Sequence, residues 1–372
     1  MLKKVIAAML AMGVTAAMLT GCGDKQAATS QPDAAQASKT EQVEVTVTPE
    51  KFDSGVELQK DCIRFIYALG NAPATIDAAN YFKMLLEQKS NGTMSADIYT
   101  DNVLGSEREL LEGCQFGNYD IVLATNAPVA SFLDDMYVLD IPWLFETKQQ
   151  AYDVLDGPVG QALGEGLEGK GLKLLQWQEN SFRNLSTTDR KIETVDDLKG
   201  LKIRIMENEI QLATWKAYGA NPTPMAFTEL FTALQQRTVD GQDNGAELTW
   251  QSKFCEVQKY FIETRHIYSP YLIVMSLDKF NKLTPEQQAI VMEASKEANE
   301  YERKRASEYE EVALENIKNA PKTEFLQLSD EAREGFKAKA EPMVDLARSR
   351  ISHPEILDML LEQVAGFQEQ EQ

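Results

Sequence analysis

The chain has 372 residues, 37 Lys and Arg against 58 Asp and Glu, and a formal net charge of −21. That length is enough for two domains with separate cores, and the charge excludes nucleic acid, whose phosphates select basic faces. With four cysteines, two histidines and no CxxC pair, neither a metal centre nor a full disulfide framework is indicated, and no cofactor is expected.

At the start, Lys3 and Lys4 precede an apolar run at residues 5–19. The run is too short to span a bilayer and fits the core of a signal peptide. It ends in Leu19-Thr20-Gly21-Cys22, small residues before a cysteine as in a bacterial lipobox. The expectation is a signal peptide at 1–21 and a lipid on Cys22 that tethers the protein to the outer side of the cell membrane. Residues 22–60 are poor in large apolar side chains and read as a flexible tether. Within it VEVTVTP (43–49) alternates as a strand would, and whether it forms one is open. With Cys22 assigned to lipid, Cys62, Cys114 and Cys255 allow at most one disulfide.

The first folded segment, IRFIYAL (63–69), is a near-continuous apolar run of the kind buried on both faces of a mostly parallel sheet. A helix follows the Gly70-Asn71-Ala72-Pro73 turn, then a strand at 94–99, a helix at 106–115 and a strand at 121–124. This β-α-β-α-β alternation predicts a parallel α/β unit whose ligand lies beyond the C-terminal strand ends. Asn71 with Thr75, and Thr125 with Asn126, are the candidates there, though each could simply cap a helix or close a turn. The stretch 164–169 formally matches GxGxxG, but it follows no strand and two glutamates would face a pyrophosphate, so it reads as the end of a helix. Strand LKLLQWQ (172–178) then leads to Asn180, Phe182 and Arg183, the expected crossover into a second domain.

The second domain opens on a short helix, capped by Thr194 with Asp197 and closed by Gly200. In LKIRIM (201–206) Leu201, Ile203 and Ile205 alternate with Lys202, Arg204 and Met206, which places Arg204 in mid-strand. Pro222 and Pro224 hold the next stretch extended, and a helix carrying Leu230, Phe231 and Leu234 ends at a polar VDGQDN turn. The apolar run HIYSPYLIVMSL (266–277) reads as a strand and as the second crossing between domains. Thr284-Pro285-Glu286-Gln287 is a capping box with proline at the first helical position, opening a helix with no proline or glycine until Pro321. A helix that long predicts a spine across both domains. The division that results is 61–178 with 270–309 as domain I, and 179–269 with 310–372 as domain II.

Five blocks in register resemble the DctP family, the solute receptors of TRAP (tripartite ATP-independent periplasmic) transporters: GLKIR (200–204), GANPTPMAF (219–227), TALQ (232–235), VDGQDN (239–244) and EVQKY (256–260). Weaker family-like blocks are LGSEREL (104–110), VLDIPWLF (138–145) and FRNLSTT (182–188), and the likeness spans residues 61 to 350. The resemblance implies a two-lobed, periplasmic-binding-protein-like α/β fold with a ligand cleft between the lobes and a long C-terminal helix spanning both. It implies a small organic acid as ligand, a sugar acid or dicarboxylate, and the small and large permease subunits as membrane partners. By matching position, Arg204 would form the two-pronged salt bridge to the ligand carboxylate, Arg183 would lie beside it, Asn244 would donate an amide, and Phe227 would form an aromatic wall. A guanidinium fork fits a carboxylate bidentately, so the chemistry is coherent. Where the family usually reads Gln-Glu-Asn-Pro, this chain has Gln242-Asp243-Asn244-Gly245. Trp177 could stack on the apolar face of a sugar acid, though a tryptophan is more often core.

Two other readings compete with a transport receptor: a ligand sensor on the same fold without a permease, and an exported hydrolase or lyase. Against an enzyme, there is no GxSxG elbow, no HExxH and no histidine placed to pair with a nucleophile.

Overall fold

The computed structural model describes residues 46–370. The stretch expected to be a signal peptide, Cys22 and residues 43–45 lie outside the described residues, and residues 46–50 adopt no regular structure.

The first lobe is built on β1 (Ile63–Ala68), α1 (Pro73–Lys89), β2 (Met94–Tyr99), α2 (Glu107–Gln115) and β3 (Ile121–Thr125), followed by the one-turn α3 (Asn126–Val129). Then come α4 (Lys148–Leu155), α5 (Pro158–Glu168) and β4 (Leu172–Gln178). The GxGxxG match falls inside and at the end of α5, as a helix-end reading requires.

In the second lobe the chain makes β5 (Phe182–Thr187), β6 (Lys202–Ile205), α6 (Glu209–Ala217), β7 (Asn221–Pro224), α7 (Phe227–Gln235), β8 (Gly241–Asn244), α8 (Ala246–Gln251) and β9 (Tyr260–Tyr268). It returns through β10 (Tyr271–Ser276), α9 (Leu277–Asn281) and the 34-residue α10 (Pro285–Lys318). It closes with β11 (Glu324–Gln327), α11 (Asp330–Ala340), α12 (Met343–Arg350) and α13 (Pro354–Gln370).

The sheets have orders β2-β1-β3-β10-β4 and β11-β9-β5-β8-β6-β7. In each, a single strand runs against the others, β10 in the first and β5 in the second, and each is the strand reached just after a crossing. The run 266–277, read from sequence as one strand, is therefore two. Pro270, which has no N–H to give a ladder, separates β9 from β10, and each half joins a different sheet. The two crossings lie side by side, since Tyr271 pairs with Gln178, Phe182 pairs with Tyr268, and Ser269 N donates to Ser181 O at 3.2 Å.

Helix α10 starts at the expected capping box, with Thr284 Oγ1 accepting from Gln287 N at 3.3 Å and Gln287 Oε1 from Thr284 N at 2.9 Å. It packs on α1 and β4 of the first lobe and on α8 and β11 of the second. Upstream of β1 the chain is laid along this helix. Arg305 Nη2 donates to Thr48 O at 3.0 Å, Phe52 lies 5.0 Å from the Tyr81 ring and 5.5 Å from the Tyr301 ring, and Gln59 N donates to Gly92 O at 3.0 Å. Residues 354–370 depart from their expected place in domain II. Ile356, Leu357 and Leu360 of α13 bury themselves in the apolar cluster of α4, α5 and β3, so the last helix belongs to the first lobe's core. Cys62, Cys114 and Cys255 are all free thiols.

Candidate functional site

Strand β6 is buried on both faces at its C-terminal end. Ile203 and Ile205 enter the second lobe's core, while Arg204, only 2% exposed, and Met206 face the other way, into a cleft between the sheets. The cleft is open to solvent, and the space between its walls and at its mouth together comes to about 670 Å³. Of the eight ligand-contact candidates, Asn71, Thr125, Arg183, Arg204, Phe227 and Asn244 line it, contributed by turns and strand ends 173 residues apart in the chain between the first and the last (244 − 71).

The two arginines differ in how their charge is met. Arg204 Nε and Nη2 both donate to the Met225 carbonyl, at 3.0 and 2.7 Å, and no carboxylate among the described residues lies within ion-pairing distance of it. Burial, helped by the nearby Arg183 guanidinium, pushes its pKa down to about 10. Arg183 is 1% exposed and already partnered: its Nε donates to Asp243 Oδ2 at 2.6 Å and its Nη2 to the Asp243 carbonyl. Burial would raise the Asp243 pKa, but Arg183 and His266, whose Nε2 is 3.4 Å away, outweigh it and hold the carboxylate well below its usual range. Behind this pair sits Asp140, fully buried, accepting from Asn208 Nδ2 and Gln211 Nε2 at 2.9 Å each. Burial raises it to about 7 despite those bonds.

Phe227 opens α7 and lies 6.0 Å, edge-on, from the Phe254 ring. Asn244 Nδ2 donates to Gln242 Oε1 at 2.5 Å. Asn71 Nδ2 donates to Ser252 Oγ at 3.4 Å, while its Oδ1 is buried and has no hydrogen-bond partner. Thr125 has a structural task as well, its N–H and hydroxyl holding the Glu107 carboxylate at 3.1 and 2.8 Å. Thr75 lines the cleft too, with its hydroxyl donated to Ala72 O at 2.9 Å.

Asn126 and Trp177 stand outside the cleft lining. Asn126 is fully buried beneath it, its Oδ1 accepting from Ser269 Oγ at 2.8 Å. Trp177 is 4% exposed, packed in the first lobe's core and beside a groove formed with Asp156, Gly160 and Arg303. Its ring is spent on burial.

Sequence reasoning passed over Glu107, Asn102 and Tyr271, which also line the cleft. The strand-end rule that pointed to Asn71 and Thr125 applies equally after β2. There it would have found Asn102 and the N-terminus of α2, where Ser106 and Glu109 form a capping box and Glu107 is the first helical residue. Burial raises the Glu107 pKa, opposed by the two bonds from Thr125 and by the arginines. Among the described residues no His, Cys, Asp and Glu group could hold a metal ion. The arrangement is a buried guanidinium, Arg204, facing a cleft bordered by amides.

The family model described as bacterial extracellular solute-binding protein, family 7 (DctP), matches residues 67–350. The 2,3-diketo-L-gulonate-binding periplasmic protein YiaO of Escherichia coli is 36% identical over 263 residues, 71% of this chain and 80% of that protein. The C4-dicarboxylate-binding periplasmic protein DctP of Rhodobacter capsulatus is 30% identical over 292 residues, 78% and 87% of the two chains. In structure, the chain is similar to the sugar acid binding protein DctPAm of Advenella mimigardefordensis in complex with galactonate. That similarity has a TM-score of 0.79 at 33% identity and covers 83% of this chain and 99% of the other.

Proposed function

The chain belongs to the DctP family of bacterial extracellular solute-binding proteins, family 7, and from that premise we propose that it is the receptor of a TRAP transporter, holding a small organic acid through an arginine–carboxylate salt bridge and handing it to the two membrane subunits. Its relatives are solute receptors, and the protein is a binding protein rather than an enzyme. The observation that carries the reading is Arg204, a buried guanidinium facing the cleft with no carboxylate partner among the described residues. Burying an unmatched charge is costly, and an incoming carboxylate offsets that cost while using the fork bidentately. Arg183 adds field, Asn244 an amide donor and Phe227 an aromatic wall. The ligand class, sugar acids or dicarboxylates, follows the relatives' ligands.

In this reading the lobes that close on the ligand are residues 61–178 with 270–309, and 179–269 with 310 to about 350, a hinge arrangement in which paired crossings absorb the rotation. No helix among the described residues is long and apolar enough to cross a membrane. Membrane attachment is assigned to a lipid on Cys22, and Cys22→Ser is expected to move the protein to the soluble fraction; membrane retention of that variant would refute the anchor. For the ligand, a thermal-shift screen of organic acids decides. Carboxylates are expected to raise the melting point, and a response confined to neutral sugars or cationic amino acids would overturn the assignment.

A further inference from the structure

Resting on the receptor reading above, we infer that the ligand is a polyhydroxylated monocarboxylate, and that Glu107 and the Asn71 carbonyl oxygen are the acceptors that select its hydroxyl groups over a second carboxylate. Two independent counts lead there, one of charge and one of hydrogen-bond donors.

The charged residues on the cleft wall are Glu107, Arg108, Arg183, Arg204 and Glu207. Arg183 is matched by Asp243, and Arg108 Nε is bonded to Glu112 at 3.0 Å on the exposed rim. One buried cation, Arg204, is left to meet an anion. A dicarboxylate would satisfy it with one end and bring the other into a wall whose remaining charges, Glu107 and Glu207, repel it.

The donor count points the same way. Asn71 Oδ1 is a buried acceptor with no donor, and leaving such a group unpaired costs free energy. Glu107 receives two bonds, both from Thr125, while a carboxylate has about four lone-pair sites. Both positions therefore call for O–H groups. Ionised carboxylates have none, and a sugar acid has several. Asn102, Asn180 and Asn244 on the same wall offer amides that both give and accept, the pairing a run of hydroxyls requires.

The test is calorimetric titration of the wild type with D-gluconate, D-galactonate, D-glucuronate, succinate and butyrate. The best sugar acid is expected to bind roughly tenfold or more tightly than succinate or butyrate, the worth of one or two hydrogen bonds to charged or buried groups. In Glu107→Gln that margin over succinate should shrink by about tenfold, because the repulsion leaves together with an acceptor. Asn71→Ala should weaken the sugar acid and leave butyrate unchanged. If succinate or butyrate matches the best sugar acid in the wild type, the inference fails while the receptor reading stands, and the same holds if folded variants weaken all ligands equally. If no carboxylate binds the wild type, the receptor reading itself fails. The wild-type series decides even where a variant does not fold.

Discussion

Arg204 and Arg183 share a cleft and a charge, yet replacing them should have opposite kinds of effect. Among the described residues Arg204 donates only to the Met225 carbonyl, so its replacement should cost the fold little. Arg204→Lys keeps the charge but loses the planar fork, and should weaken carboxylate binding; Arg204→Ala should weaken it further, by about 2–5 kcal/mol. Equal affinity for wild type and Arg204→Lys in calorimetry would take this arginine out of the site. Arg183→Ala instead strands Asp243 in a buried position, and should lower stability by about 3–5 kcal/mol, read from the denaturation midpoint without ligand. Asp140 gives a pH signature. Its folded pKa of about 7 is above the ordinary carboxylate value, so the folded state holds the proton more tightly. That contribution is complete below about pH 4 and is lost as pH rises through 7, with a slope of at most about 1.4 kcal/mol per pH unit. Asp140→Asn should therefore gain stability relative to wild type as pH rises across this window. A difference that stays flat from pH 4 to 8 would contradict the assignment.

Elements defined by local chemistry were legible in the sequence to within a residue or two. Strand β2, the capping box at Thr284 and the length of α10 needed only alternation, side-chain caps and the absence of breakers. What was not legible was long-range. The Arg183–Asp243 ion pair joins residues 60 apart in the chain, the two halves of 266–277 separate because they enter different sheets, and α13 is claimed by a core some two hundred residues upstream. The cleft was readable through strand ends and the family blocks. Glu107 opens helix α2 beyond the end of β2, where the strand-end rule was not applied, and its carboxylate is held by Thr125 at the end of β3. At Gly245 a Cβ would lie 2.9 Å from the Asn180 carbonyl in the first crossing. Gly245→Ala should thus cost about 1 kcal/mol or more and weaken ligand binding through Asn180, whereas a surface position would tolerate it silently. Calorimetry and urea unfolding of that one variant check both halves.

For the whole molecule, a net charge of −21 and an anionic ligand are compatible because the attraction is local and desolvated while the surface charges are screened beyond about 10 Å at 0.1 M salt. Affinity should accordingly fall only weakly between low and physiological salt, and a steep fall would mean that long-range field, not the buried fork, holds the ligand. A ligand that binds the folded protein and not the unfolded chain links binding to stability: at a hundredfold excess over Kd it should add about 2.7 kcal/mol. Helix α10, about 50 Å long at 1.5 Å per residue, touches both lobes.

The segment laid along that helix has a mechanical meaning. Residues 46–60 hold to the first lobe by a few separate clasps, the Arg305 bond to Thr48, the ring of Phe52 between two tyrosines, and Gln59 at Gly92. Tension applied at residue 46 meets them one after another, as in peeling, where a sheet ladder in shear resists as a block. Optical-tweezer traces pulled from residue 46 should show an early, low-force extension of about 50 Å, fifteen residues at roughly 3.4 Å each, before either sheet yields. In the hinge reading proposed above, a load applied upstream of residue 46 and below that force would fall on the first lobe and leave the second free to move.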